Sequence, residues 1–154
     1  MNEYFKNNYE QINRYFAATY YNMVWDILDD ENKSDEDIEE MKHLSHASFQ
    51  HWIEVEDCPD ETISLGYWQL SRVYSMAKEG ENANFYADRC LDTTKDSDLE
   101  PFFIAYAYEA KARALKTLKK IGEAEIFIKK AKEYLPLIKD EESKKIVTDD
   151  LKSI

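Results

Sequence analysis

The sequence predicts an all-α protein built from antiparallel helical hairpins. In several segments apolar residues recur at steps of three and four, which is the period of an amphipathic helix. The chain of 154 residues has only 3 Gly and 3 Pro for turns, which argues against a many-stranded β fold. We expect one all-helical domain over residues 1–154, with hairpins at about 3–55, 60–94 and 98–136 and a capping helix at about 140–153.

The first predicted hairpin begins with an unusually aromatic helix over residues 3–29. One stripe along it holds Phe5, Tyr9, Ile12, Phe16, Tyr20, Met23 and Ile27. We expect this stripe to be buried within the fold, with contact to a second copy of the chain as the alternative. Ser34 followed by Asp37 predicts a capping box at the start of the second helix.

The last predicted hairpin, residues 98–136, gives the clearest helical signal. Asp98 is the expected N-cap, and Pro101 suits the first turn because its missing N–H is not needed there. Gly80 and Gly122 are the expected turn residues, and Gly122 suits a helix end that needs a positive φ. Asp140 then starts a short helix that we expect to cover the exposed face of this hairpin.

Large and small residues alternate along this hairpin and along the one before it. In the later hairpin the set is Tyr108, Ala112, Leu115, Ala124, Ile128, Ala131 and Pro136. In the earlier hairpin it is Tyr67, Leu70, Ser71, Tyr74, Ala83 and Cys90. The first aromatic residues of the two sets, Tyr67 and Tyr108, are 41 positions apart. This alternation resembles the tetratricopeptide repeat, a helix–turn–helix unit of about 34 residues. The resemblance spans residues 63–136 and implies a short superhelix; an all-α bundle of unrelated origin is the alternative.

The resemblance also implies a binding groove, because the first helix of each repeat lines the concave side, where that family commonly binds peptides. The positions carried over are Leu65, Trp68, Arg72, Ser75 and Met76, then Tyr106, Glu109, Arg113, Lys116 and Thr117. Our candidate peptide-binding residues are Trp68, Arg72, Tyr106, Glu109, Arg113 and Lys116. The cations can pair with carboxylates and the aromatic rings offer flat anchors. Alternatively, Arg113 pairs only with Glu109, four residues earlier on the same helix.

The charge distribution excludes some partners. The net charge is −12, and residues 26–61, with fourteen acids and two bases, account for all of it. A polyanion such as nucleic acid is therefore not an expected partner. No apolar run is long enough to span a membrane, and the first residues lack the layout of a secretory signal. We expect a cytoplasmic protein with no membrane partner, in which Cys58 and Cys90 are reduced thiols.

One cluster of side chains offers an alternative site. Glu39, His43 and His46 are spaced four and three apart, so on a helix they share one face and could hold a divalent metal. No phosphate loop, dinucleotide motif, nucleophile elbow or cysteine–histidine zinc pattern is present, and no cofactor is expected.

Three hypotheses about function follow. The first is a non-catalytic module that binds a protein or peptide partner through the groove. The second is a small helical-bundle, metal-dependent enzyme that uses Glu39, His43 and His46. The third is a structural subunit that forms a homodimer through the aromatic helix at residues 3–29.

Overall fold

The computed structural model describes residues 3–95 and 97–154, with the side chains of residues 4–7 outside the description. The expectations that concern the first two residues and the side chain of Phe5 therefore fall outside the described residues. Within the described residues the chain folds into seven α-helices and no strand, which confirms the all-α class. They are α1 (Glu3–Leu28), α2 (Asp35–Ile53), α3 (Asp60–Met76), α4 (Gly80–Thr93), α5 (Pro101–Thr117), α6 (Ile121–Tyr134) and α7 (Glu141–Lys152), with a 3₁₀ turn at Leu135–Leu137 before α7.

The helices pack mainly against their neighbours in the chain. α1 pairs with α2, α3 with α4 and α5 with α6, and α3 and α5 also touch each other. A small apolar cluster lies where α1, α2 and α3 meet, around Val24, Met41 and Val73. A larger cluster runs from Trp68 on α3 to Leu151 on α7.

The small residues that the sequence places between helices are buried. Ala112, Ala124 and Ala131 are fully buried in the last hairpin, and Ala83 and Cys90 are fully buried in the hairpin before it. Side chains of this size let two helix backbones approach closely, so that larger residues fill the space beside them. The alternation of large and small residues is thus a packing pattern.

The turns of these two hairpins share one geometry, and lysine rather than glycine adopts the left-handed conformation. Lys78 and Lys119 both have φ of 62°, and no described glycine has a positive φ. In each turn the next residue donates its N–H to a carbonyl five positions back, Glu79 to Tyr74 and Lys120 to Leu115, both at 2.9 Å. These bonds complete a Schellman motif, which satisfies the helix-end carbonyls.

The prediction that Gly80 and Gly122 form the turns is therefore wrong. Gly80 is the first residue of α4, and Gly122 lies inside the first turn of α6. Gly80 instead permits close packing, because a Cβ atom there would lie 2.6 Å from Cδ2 of Leu118. A Cβ at Gly122 would meet nothing within 4 Å.

Of the three helix N-caps predicted at Ser34, Asp98 and Asp140, the structure has the first and the last. Ser34 and Asp37 form the predicted capping box, with Asp37 N–H donating to Ser34 Oγ at 3.2 Å. The Ser34 N–H and hydroxyl donate to the Asp37 carboxylate and lower its pKa. Asp140 caps α7 as predicted. Asp98 does not cap α5: the N-cap is Glu100, because Pro101, whose fixed φ suits the first helical position, starts the helix.

The stripe predicted to be the buried side of α1 is instead partly exposed. Tyr9, Phe16 and Met23 keep 36–40% of their surface accessible. The line that faces the core holds Asn13, Ala17 and Val24, which are smaller. Small residues are favoured there because the Ser48 hydroxyl of α2 donates to the backbone carbonyl of Ala17 at 2.8 Å, which requires close approach.

Substituting the two glycines should change stability in opposite directions. Gly122→Ala should raise the free energy of unfolding by about 0.5–1 kcal/mol, because alanine is the better helix former and has open space around it. Gly80→Ala should lower it by about 1 kcal/mol, because Leu118 must move to admit the methyl group. Urea unfolding followed by circular dichroism measures both, and an equal gain at both sites would contradict the close contact.

Candidate functional site

The six candidate groove residues lie together on two adjacent helices, α3 and α5. We call this set the α3–α5 face: Trp68, Arg72, Tyr106, Glu109, Arg113 and Lys116. Trp68, Tyr106 and Glu109 are buried, so the arginines and Lys116 supply its accessible part. Trp68 and Tyr106 stack with ring centroids 4.6 Å apart and an interplanar angle of 13°. Trp25 of α1 also stacks on Trp68, with ring centroids 5.5 Å apart. The aromatic anchors of the predicted groove therefore pack against each other.

Glu109 is fully buried at the centre of the α3–α5 face. The indole N–H of Trp68 donates to its Oε2 at 2.8 Å, and Nε of Arg113 donates to its Oε1 at 2.6 Å. Nη1 of Arg72 lies 3.5 Å from the same Oε1. A buried carboxylate needs such donors and opposite charge, since its desolvation is otherwise unfavourable by several kcal/mol.

The C-terminal helix α7 closes this ion network. Asp150 accepts a hydrogen bond from the Tyr106 hydroxyl at 2.9 Å and lies 3.3 Å from Nη2 of Arg72. Nη2 of Arg113 donates to the backbone carbonyl of Asp150 at 2.9 Å and to Oγ of Ser153 at 2.8 Å. Burial, followed by the nearby Asp150 charge, raises the pKa of Tyr106, so the phenol stays a hydrogen-bond donor.

α7 packs against the last hairpin, on its first helix α5. It packs on α5 and on the 3₁₀ turn, with Val147 and Leu151 buried. Ile121 and Ile126 on α6 remain about half exposed, so the outer face of the last hairpin is not covered. Asp150 pairs with Arg72 and Arg113, which lie on α3 and α5.

The sequence analysis missed Asp150 and Ser153 as members of the site. A signal for Asp150 was present, since Val147, Asp150 and Leu151 are spaced three and one apart and share one face of a helix. An acid between two buried apolar residues indicates a cationic partner on the surface that it contacts.

Beside Ser153 the α3–α5 face opens into a cavity of about 490 Å³, which we call the basic cavity. Its lining residues are Arg72, Ser75, Met76, Lys78, Arg113, Lys116, Thr117, Ser153 and Ile154. Four of these carry a positive charge and none carries an acidic side chain. Lys116 keeps 29% of its side chain exposed, and its nearest carboxylate, Glu125, is 4.0 Å away and largely solvated. The accessible cations of the candidate groove are thus at this cavity.

The predicted metal-binding residues Glu39 and His46 each contact other side chains. Glu39 forms an ion pair with Lys42, and Nε2 of His46 lies 2.9 Å from the Tyr74 hydroxyl on α3. Glu39 and His43 both line a cavity of about 660 Å³, which His46 does not line. In the described part of the chain, no three histidine, cysteine or acidic side chains are placed to hold a metal ion. Burial lowers the pKa of His46, which favours the neutral imidazole beside Tyr74.

α1 presents a second surface with apolar side chains. Tyr9, Tyr15, Phe16 and Met23 are 36–67% exposed, and we call this surface the α1 outer face. The Phe16 ring stacks on His51 of α2 with centroids 5.5 Å apart, so part of the α1 outer face is already in contact with the rest of the chain.

Glu109→Gln should lower the free energy of unfolding by about 3 kcal/mol, because Arg72 and Arg113 would lose the charge that they surround. Glu125→Gln, at a mostly exposed ion pair, should change it by less than about 0.5 kcal/mol. Chemical denaturation of both variants measures the difference. If Glu109→Gln proves as stable as the parent protein, the ion network does not stabilise the fold.

Each described helix is either too short or too polar to span a lipid bilayer. Comparison with protein-family models, with curated proteins and with solved structures finds no match to this chain. A candidate function therefore has to be built on the contacts in the structure itself.

Proposed function

We propose that this chain is a non-catalytic interaction module that binds an acidic segment of a partner protein on the α3–α5 face. The observation that carries the proposal is the way in which this face already holds Asp150. The Asp150 carboxylate accepts a hydrogen bond from the Tyr106 hydroxyl and lies beside Arg72 and Arg113. A surface with these donors recognises carboxylates through charge-assisted hydrogen bonds.

The same proposal includes a short superhelix similar to the tetratricopeptide repeat. Two observations support it. The turns at Lys78 and Lys119, 41 positions apart, have the same backbone geometry and the same hydrogen bonds. Fully buried Ala83 and Cys90 correspond to Ala124 and Ala131 at the same offset. In such an arrangement α3 and α5 are the first helices of successive repeats, and the α3–α5 face lies on the side where repeat proteins bind partners.

The basic cavity is the accessible part of this surface. Arg72 and Arg113 are committed to Glu109 and Asp150. Lys78 and Lys116 are not part of this buried network: Lys78 is exposed, and Lys116 pairs, among the described residues, only with the mostly exposed Glu125 at 4.0 Å. We therefore assign the contact with a partner's acidic residues to these two lysines.

The charge of the rest of the chain favours one orientation for such a partner. The net charge is −12, and residues 26–61 carry the excess of acids. An acidic segment is repelled by that region and attracted by the basic cavity. Complementarity of this kind selects the binding mode more than it adds affinity.

Sequence selection from a random peptide library on the immobilised full chain tests the proposal. We expect enrichment of peptides with Asp and Glu, and about tenfold weaker binding of those peptides to the Lys78→Glu, Lys116→Glu double variant. The matched control is Lys129→Glu with Lys132→Glu, two exposed lysines on α6, which makes the same change in net charge.

Binding of each enriched peptide is measured by fluorescence anisotropy, and circular dichroism confirms that the variants fold. If both double variants weaken binding equally, the attraction is non-specific and the basic cavity is not the site. If no acidic peptides are enriched, the proposed function itself is wrong.

We propose self-association as a second candidate, on the observation that the α1 outer face leaves large apolar side chains in water. Tyr15 is 67% exposed, and Phe16 and Met23, seven positions apart, lie on one side of the helix. Apolar residues at this spacing are typical of helices that pair with another helix.

Light scattering at micromolar concentration tests this second candidate. We expect the mass of two chains for the parent protein and of one chain for the Tyr15→Lys, Met23→Lys double variant, because the new charges oppose burial. Ile126→Lys, at a similarly exposed residue on α6, is the control and should leave the dimer intact. A parent protein that is monomeric throughout rules out the dimer.

A further inference from the structure

The contacts of α7 suggest that this helix is itself an occupant of the α3–α5 face. Of the residues of α7, only Val147 and Leu151 are buried. The helix packs mainly on α5 and on the 3₁₀ turn, whereas α3 and α5 make more extensive contacts with each other and with their hairpin partners. The docking of α7 is therefore expected to open more easily than the packing of α3 against α5.

The charges beneath α7 show what its departure would leave behind. Arg72 and Arg113 surround the single carboxylate of Glu109, and Asp150 supplies the second negative charge. Without α7 the two arginines would exceed Glu109 by one positive charge, next to the hydroxyl of Tyr106. The uncovered surface would then lack the carboxylate of Asp150 and the two apolar side chains that flank it, Val147 and Leu151.

We propose that α7 is a built-in competitor, and that the partner is an amphipathic helix that replaces it with an acid between two apolar residues, spaced as in Val147, Asp150 and Leu151. This inference rests on the proposed function, and it names the class of partner and the regulation of the same face. Binding of the partner is opposed by α7, because the competent surface is available only in the fraction of molecules in which α7 is undocked.

The pair Asp149 and Asp150 offers a matched test on the full chain. Asp150 faces Arg72 and Tyr106, whereas Asp149 points outward and pairs with Lys145 and Lys152 on α7 itself. Asp150→Asn weakens the docking of α7, and Asp149→Asn makes the same charge change without touching the α3–α5 face. The probe is a fluorescent synthetic peptide with the sequence of residues 139–154.

We expect the peptide to bind the Asp150→Asn chain at least about tenfold more tightly than it binds the parent or the Asp149→Asn chain. The same peptide with asparagine at position 150 should lose this binding, because the carboxylate is the group recognised. Equal affinity for the two variants, or binding that does not need the peptide's carboxylate, would overturn the inference.

Hydrogen exchange on the parent protein gives an independent reading that needs no variant to fold. The amides of α7 should exchange at least about tenfold faster than those of α3 and α5, which marks opening of α7 alone. Exchange of α7 in step with α5 would show that it is released only by global unfolding and would refute the competitor role.

The two proposals can fail separately. If library peptides bind while exchange of α7 stays slow, the interaction function stands and the partner binds beside α7, so the competitor role is wrong. If the α7 peptide binds the Asp150→Asn chain but no library peptide is enriched, α7 is displaceable and the proposed recognition of acidic partners is wrong.

Discussion

The burial of one charge, that of Glu109, is the constraint on which the packing of α3, α5 and α7 depends. A carboxylate removed from water needs hydrogen-bond donors and opposite charge close by. Trp68 and Arg72 supply them from α3, and Arg113 supplies them from the same helix. Alanines allow the helices to approach at several registers, whereas these directional contacts are satisfied at one. The polar network thus fixes the register that the small residues merely permit.

The place of α7 follows from the same network. Arginine stays charged at every pH at which the protein is folded, so two arginines around one glutamate call for another anion. Asp150 fills that role, with the Tyr106 hydroxyl as a further donor. A helix that served only to cover apolar surface would be expected over α6, where Ile126 remains exposed. The polar contacts of Asp150 and the burial of Val147 and Leu151 in the larger apolar cluster therefore both hold the last helix on α5.

Features set by neighbouring residues were predictable from the sequence, and features set by the packing of distant helices were not. The helices and the capping box of Ser34 and Asp37 depend on contacts within a few positions. The cap at Asp98 failed because a proline three positions later determined the start of α5. The six groove residues do lie on one face, but the contact between Trp68 and Glu109 joins positions 41 apart, so no local pattern could show that they bury each other.

The same side chains that make the α3–α5 face apt for binding also hold the fold together, and this limits which of them can select a partner. If Arg72 and Arg113 moved away from Glu109, its buried charge would be left without partners, which is strongly unfavourable. In the proposed binding mode the two arginines would exchange the Asp150 carboxylate for one of the partner with little net change in free energy, because the count of charges is preserved. Under the proposed function, selectivity depends on the group that carries that outer carboxylate and on the two lysines of the basic cavity, of which Lys116 pairs, in the described part of the chain, only with the mostly exposed Glu125.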